Sequence, residues 1–313
     1  MVLKVETHID IKGEEGRRIY REISNIIEQF ILRDQIERLK KIRIYVTNDP
    51  IKICRRIVPS RVKLKIHGEM REWICENAPS FSYYEKNKQS TIMLSANQSI
   101  FKERNYAAIR GLLAHELMHL LDKVDGIDEK LQEETETVGK NIFMHLEKHK
   151  PVKPFTKDRL LVSFLRVMST ISMLIKDVLA NTRAMTFGYD MDIYKNYEAT
   201  LTDIRDLVSF NEKNIIKALK KDEKHILDDA FLTYLAFNVS WITFKMFHNM
   251  LYKKLQDMAD IQVPRIIKKN SKLILNEMLK LRSASDRKQI AKILRLSGQN
   301  YFNIVQYFCK RLR

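Results

Sequence analysis

The residues with the clearest chemical potential are His115-Glu116-Leu117-Met118-His119. Two histidines four apart on a helix share one face about one turn from each other, so both imidazoles can reach a single Zn²⁺ at roughly 2.0–2.1 Å. Glu116 follows His115 directly and is turned by about 100° around the axis. That offset lets its carboxylate act as a base toward water at the ion without becoming a ligand itself. The residues around the pair, Leu113, Ala114, Leu117, Met118, Leu120 and Leu121, are all uncharged, as a buried helix requires. The spacing suits metal-assisted hydrolysis.

A catalytic zinc takes three protein ligands and keeps one position open, so a third ligand must come from elsewhere. Glu133, Glu134 and Glu136 stand on a helical stretch over 128–148, although acids near a helix start also suit the helix dipole. Asp177 stands in an otherwise apolar segment over 167–184, where an unpaired carboxylate would be costly and a metal would remove the cost. Lys176 and Arg183 are alternative partners for it. Asp122, three residues after His119, could orient a ligand or form a surface ion pair. Arg183, Tyr189, Tyr194 and His225 are available as further donors.

These side chains need a scaffold, and the first hundred residues carry the strand signals. Residues 3–9, 42–47, 62–66 and 91–95 are rich in β-branched residues or alternate in polarity. A helix over 14–33 carries Ile19, Ile23, Ile26, Ile27 and Phe30 at helical spacing. Beyond residue 97 helical patterning runs to the end, broken at 125–127, 150–153, 188–192 and 263–264. The histidine pair falls in a helix over 102–122. The expected fold is α+β and mostly α: a small N-terminal mixed sheet with the histidine helix, then an all-α region. At 313 residues about two domains are expected. Only eight glycines and six prolines exclude collagen-like, low-complexity and all-β architectures.

Sheet first, HExxH helix next and helices after it resembles the zincin metallopeptidases, over residues 1–188. The resemblance implies Zn²⁺, a protein or peptide substrate, Glu116 as the catalytic base, and 91–95 as the edge strand lining the substrate cleft. The metzincin continuation fails, because Asp122-Lys123-Val124-Asp125-Gly126 supplies no third histidine. Asp177-Val178-Leu179-Ala180-Asn181 is instead similar to the Glu-x-x-Ala-Asp/Asn element of gluzincins. By that likeness Asp177 binds the metal and Asn181, four later on the same face, orients a ligating histidine. Asp in place of Glu is one methylene shorter, so this helix must approach the ion more closely.

The remaining features concern charge. The net charge is +17, the footprint of a chain that meets phosphate, an anionic surface or acidic protein. Residues 263–313 hold 13 Lys/Arg against Glu277 and Asp286. Beyond a helical extension over 189–262, this tail reads as a basic three-helix domain. Its helices are expected over 266–281, from 285 to 296, and from Gln299 after a Ser297-Gly298 turn, which looks like a helix-turn-helix. Gln299, Asn300 and Asn303 would then face bases of double-stranded DNA, and Arg287, Lys288 and Lys292 its phosphates. The rival expectation is a DNA-binding regulator whose metal domain is structural or inactive. Three cysteines at no ligand-like spacing and no apolar run near the roughly 20 residues a membrane span needs point to a cytoplasmic chain without one.

Overall fold

A computed structural model describes residues 3–32, 39–57, 80–84, 89–147, 155–204, 209–223, 225–258, 261–283 and 285–312. The architecture is α+β and mostly helical, with a small mixed sheet at the N-terminal end followed by helices. Two compact units form. One comprises Met1–Gly126 with Arg183–Ala199, the other Ile127–Thr182 with Thr200–Arg313.

In the first unit strand β1 (Lys4–Ile9) leads through helix α1 (Gly13–Leu32) to strand β2 (Lys41–Thr47). The strands pair in parallel from Lys4↔Lys41 to Ile9↔Val46. Parallel neighbours need a crossover, and α1 serves because Ile19, Ile23, Ile26, Ile27 and Phe30 bury one face of it. After helix α2 (Pro50–Ile57) come strands β3 (Ser80–Tyr84) and β4 (Ser90–Ser95). Strand β4 pairs in parallel with β2 and antiparallel with β3, giving the order β1-β2-β4-β3.

This order corrects one expectation. Residues 91–95 do not form an edge; β4 is an interior strand with every residue buried, and the edge belongs to β3. Strand β3 carries its own signal, Phe81 and Tyr83 alternating with serines, but it is short. The strand expected at 62–66 lies outside the described residues.

After the turn α3 (Ser99–Lys102), the histidine helix α4 spans Tyr106–Val124. It starts later than the apolar pattern predicts because Arg104 takes a left-handed backbone, φ +57°. Asn105 then caps the helix by accepting from the Ala108 N–H at 3.1 Å. A Cβ on Gly111 would lie 2.0 Å from the Asp192 carbonyl oxygen, so only glycine permits this approach. Arg110 fixes the same contact by donating to Asp192 and to Glu22, each at 2.9 Å.

The second unit is helical: α5 (Ile127–Glu147), most of α6 (Lys157–Thr186), the end of α7 (Asp190–Ile204), α8 (Glu212–Lys220), α9 (Ile226–Ile242), α10 (Phe244–Phe247), α11 (Asn249–Met258), α12 (Arg265–Met278) and α13 (Arg287–Leu312). Phe164, Ile171, Phe231, Leu235, Ile267, Ile274, Leu294, Ile304 and Phe308 share one core. Residues 263–313 therefore pack into the same core as 127–182 and 200–262 rather than standing apart as a three-helix domain. Among the described residues no helix is long and apolar enough to cross a membrane.

The expected helix-turn-helix is not formed, because α13 runs unbroken through Ser297 and Gly298. A Cβ on Gly298 would lie 2.5 Å from Ile142 Cδ1 and 3.0 Å from Phe164 Cε2. The glycine thus serves a close helix crossing rather than a turn. Ser297 Oγ donates to the Ile293 carbonyl at 2.8 Å and Asn300 Nδ2 to that of Leu296 at 2.9 Å. Both side chains are buried, so Asn300 cannot read a base edge.

Candidate metal centre

Helix α4 buries Leu112, Leu113, Ala114, Leu117, Met118, Leu120 and Leu121, and this packing fixes its rotation. His115 and His119 are left half-buried on one side. Their Nε2 atoms converge to 2.9 Å, with the rings nearly perpendicular at 86°. Two nitrogens held by one tetrahedral zinc at 2.0–2.1 Å would stand about 3.3 Å apart. The pair therefore needs only a few tenths of an ångström of opening to admit an ion.

Asp177 completes a group. One ligand atom from each of His115, His119 and Asp177 lies within 4.8 Å of the others, and no second such group occurs among the described residues. Two imidazoles and a carboxylate suit a borderline-soft divalent cation such as zinc. None of the rival acids Glu133, Glu134 and Glu136 belongs to the group; Glu133 accepts from Arg287 at 3.2 Å and Glu136 from Gln132 at 2.9 Å. Asn181 is fully buried one turn past Asp177 on α6.

Glu116 is 5% exposed. Ser80 Oγ, on β3, donates to its Oε1 at 2.6 Å, while Oε2 is buried without a hydrogen-bond partner among the described residues. A buried oxygen in that state costs about 1–3 kcal/mol. It is the acceptor a site built around water would keep free. Sequence reasoning does not find Ser80, since nothing links it to Glu116 until β3 is placed beside α4. Lys123 holds that strand in place, donating to the Ser82 carbonyl oxygen and, at 3.3 Å, to the Ser82 hydroxyl.

The other polar groups have settled positions. Arg183 donates to Asp122 at 2.9 Å and to Asp125 at 2.6 Å. It thereby ties the end of α6 to the end of α4, six residues beyond Asp177 and three beyond His119. Tyr194 donates to Glu198 at 2.7 Å; burial, and then the Glu198 carboxylate, push its pKa up to about 12. Tyr189 is buried, and His225 lies in the other unit with Nδ1 3.3 Å from Asp228. In the tail Lys292 pairs with Glu277 at 2.8 Å, and Lys288, Gln299 and Asn303 are exposed on α13.

Compared with protein families, curated proteins and solved structures, the chain finds no match. The reading of the site therefore rests on its own residues.

Proposed function

We propose that the chain is a cytoplasmic zinc-dependent metallopeptidase of zincin type, with His115, His119 and Asp177 holding the ion. The observation that carries this reading is the convergence of those three ligands beside a buried Glu116 oxygen that has no hydrogen-bond partner among the described residues. Zinc, when bound, supplies Lewis acidity and lowers the pKa of water. Glu116 Oε2 accepts a proton from the attacking water and returns it to the leaving amine. Ser80 holds Oε1 so that Oε2 faces the water, and Arg183 holds the two helices that carry the ligands.

Metal analysis of the purified protein tests the ligands and the base together. Wild type and Glu116→Gln should each carry an equimolar amount of zinc, and His115→Ala and Asp177→Ala should lose it. A peptide library should be cleaved by wild type and roughly 10²–10⁴ times more slowly by Glu116→Gln. Zinc retained in both ligand variants would overturn the reading.

A second reading, a DNA-associated protein, draws on the outward face of α13, where Lys288, Arg295, Gln299 and Asn303 are exposed beside Lys292, which is paired with Glu277. With no recognition helix this face can meet phosphates alone. Binding to duplex DNA should then be insensitive to base sequence and fall steeply with salt. A flat salt dependence would dismiss it.

A further inference from the structure

We propose that the outer edge of β1 and the adjoining face of α1 form a docking groove for an extended acidic peptide. The peptide adds to the sheet as a strand and sets its carboxylates on Arg17 and Arg21. The proposal is independent of the metal centre.

Strand β1 ends the sheet, pairing among the described residues with β2 alone. The Lys4 N–H donates to the Lys40 carbonyl at 3.2 Å and the Asp10 N–H to that of Val46 at 2.9 Å. Main-chain groups alternate in direction along a strand, so Lys4, Glu6, His8 and Asp10 face β2 while Val5, Thr7 and Ile9 face outward. That edge offers a row of donors and acceptors ready for another strand.

The edge opens into a groove of about 550 Å³, with Thr7, Ile9 and Ile11 on one side and Arg17, Tyr20 and Arg21 on the other. Its narrow end depends on Gly16, where a Cβ would lie 2.0 Å from the Ile11 carbonyl oxygen. Tyr20 is 52% exposed, an amphipathic ring of the kind enriched where proteins meet.

Charge selects the occupant. Arg17 and Arg21 are exposed and have no acidic partner among the described residues. Two neighbouring cations are engaged: Arg18 lies over the Tyr106 ring at 4.1 Å, and Arg110 is paired with Asp192 and Glu22. Glu6, the acid on β1, is taken by Lys41 and Arg43, each at 2.7 Å. Four helical residues rise about 6 Å, close to the ~6.6–6.8 Å between alternate residues of a strand. An Asp/Glu-x-Asp/Glu sequence therefore matches the two guanidiniums. A nucleic acid would answer the charge but not the outward-facing amides.

The probe is a fluorescein-labelled Thr-Val-Glu-Val-Glu-Val-Thr peptide, read by anisotropy with the full chain, beside its Lys-x-Lys counterpart. The Glu peptide should bind, and Arg17→Glu with Arg21→Glu should weaken it by about tenfold or more. Thr7→Pro should do the same, because it deletes one outward N–H at an edge where proline is tolerated. In the wild-type protein the peptide should slow amide exchange at Val5, Thr7 and Ile9 and leave Glu6 and His8 unchanged. Equal binding of the Lys peptide, or no change in exchange at those outward amides, would overturn the proposal.

Discussion

Helices α4 and α13 carry the same signal, polar residues set into an apolar run, and resolve it in opposite ways. On α13 the polar atoms close on their own surroundings. Ser297 and Asn300 donate to carbonyls one turn back, and the Tyr301 hydroxyl donates to Asp228. That aspartate is 1% exposed and also faces Arg166 and His225. Burial, and then the Asp228 charge, raise the Tyr301 pKa well above its ordinary value. On α4 one carboxylate is only half engaged: Glu116 Oε2 has no hydrogen-bond partner among the described residues, beside two imidazoles that crowd edge to face. Buried polar atoms that satisfy one another belong to the packing, and one left unsatisfied beside converging ligand atoms calls for a functional explanation.

Substitutions on the two helices test that contrast. The largest effect is expected at Gly111, where a Cβ meets the Asp192 backbone. Gly111→Ala should cost about 3 kcal/mol or more, although alanine favours the helix by about 1 kcal/mol. Gly298→Ala meets only side-chain atoms and should stay within about 1.5 kcal/mol of wild type. Equal losses in urea unfolding would remove the difference between the two helices.

Next in size is Tyr301→Phe, which takes a donor from a buried carboxylate and should lower stability by about 1–3 kcal/mol. Glu116→Gln should run the other way. In metal-free protein it removes a poorly solvated carboxylate, and thermal unfolding should show a gain of about 1 kcal/mol. A loss there would mean that the oxygen is satisfied after all.

The smallest effect concerns acid. Lys280 first, then Lys292 and Gln289, hold the Glu277 carboxyl at about 2, below its ordinary 4.5. A lowered folded value stabilises above the unfolded one, so the contribution is whole above pH 4.5 and fades as the pH falls toward 2. Glu277→Gln should abolish that part of the acid sensitivity while changing stability at neutral pH by less than about 1 kcal/mol.

The comparison also explains what could be read from sequence. Strands β1, β2 and β4 and helices α1 and α4 are legible because their apolar periods are local. So is the histidine pair, whose geometry one helix dictates. Asp177 is legible as a costly carboxylate in apolar surroundings and through its spacing to Ala180 and Asn181; its nearness to the histidines depends on tertiary structure. Ser297-Gly298 misleads because a glycine at a tight crossing and a glycine at a turn look alike in one dimension. Ser80 is invisible for the same reason, since its role depends on a strand partner.

One consequence concerns synthesis. The unit holding the histidine helix is discontinuous, with residues 127–182 intervening before Arg183–Ala199. At 5–20 residues per second the ribosome spends roughly 3–11 s on that intervening stretch. Throughout it Asp122 and Asp125 have yet to meet Arg183, and Gly111 has yet to meet Asp192. A nascent chain can thus make its imidazole pair early, but it cannot lock the helix bearing them until its last segment emerges.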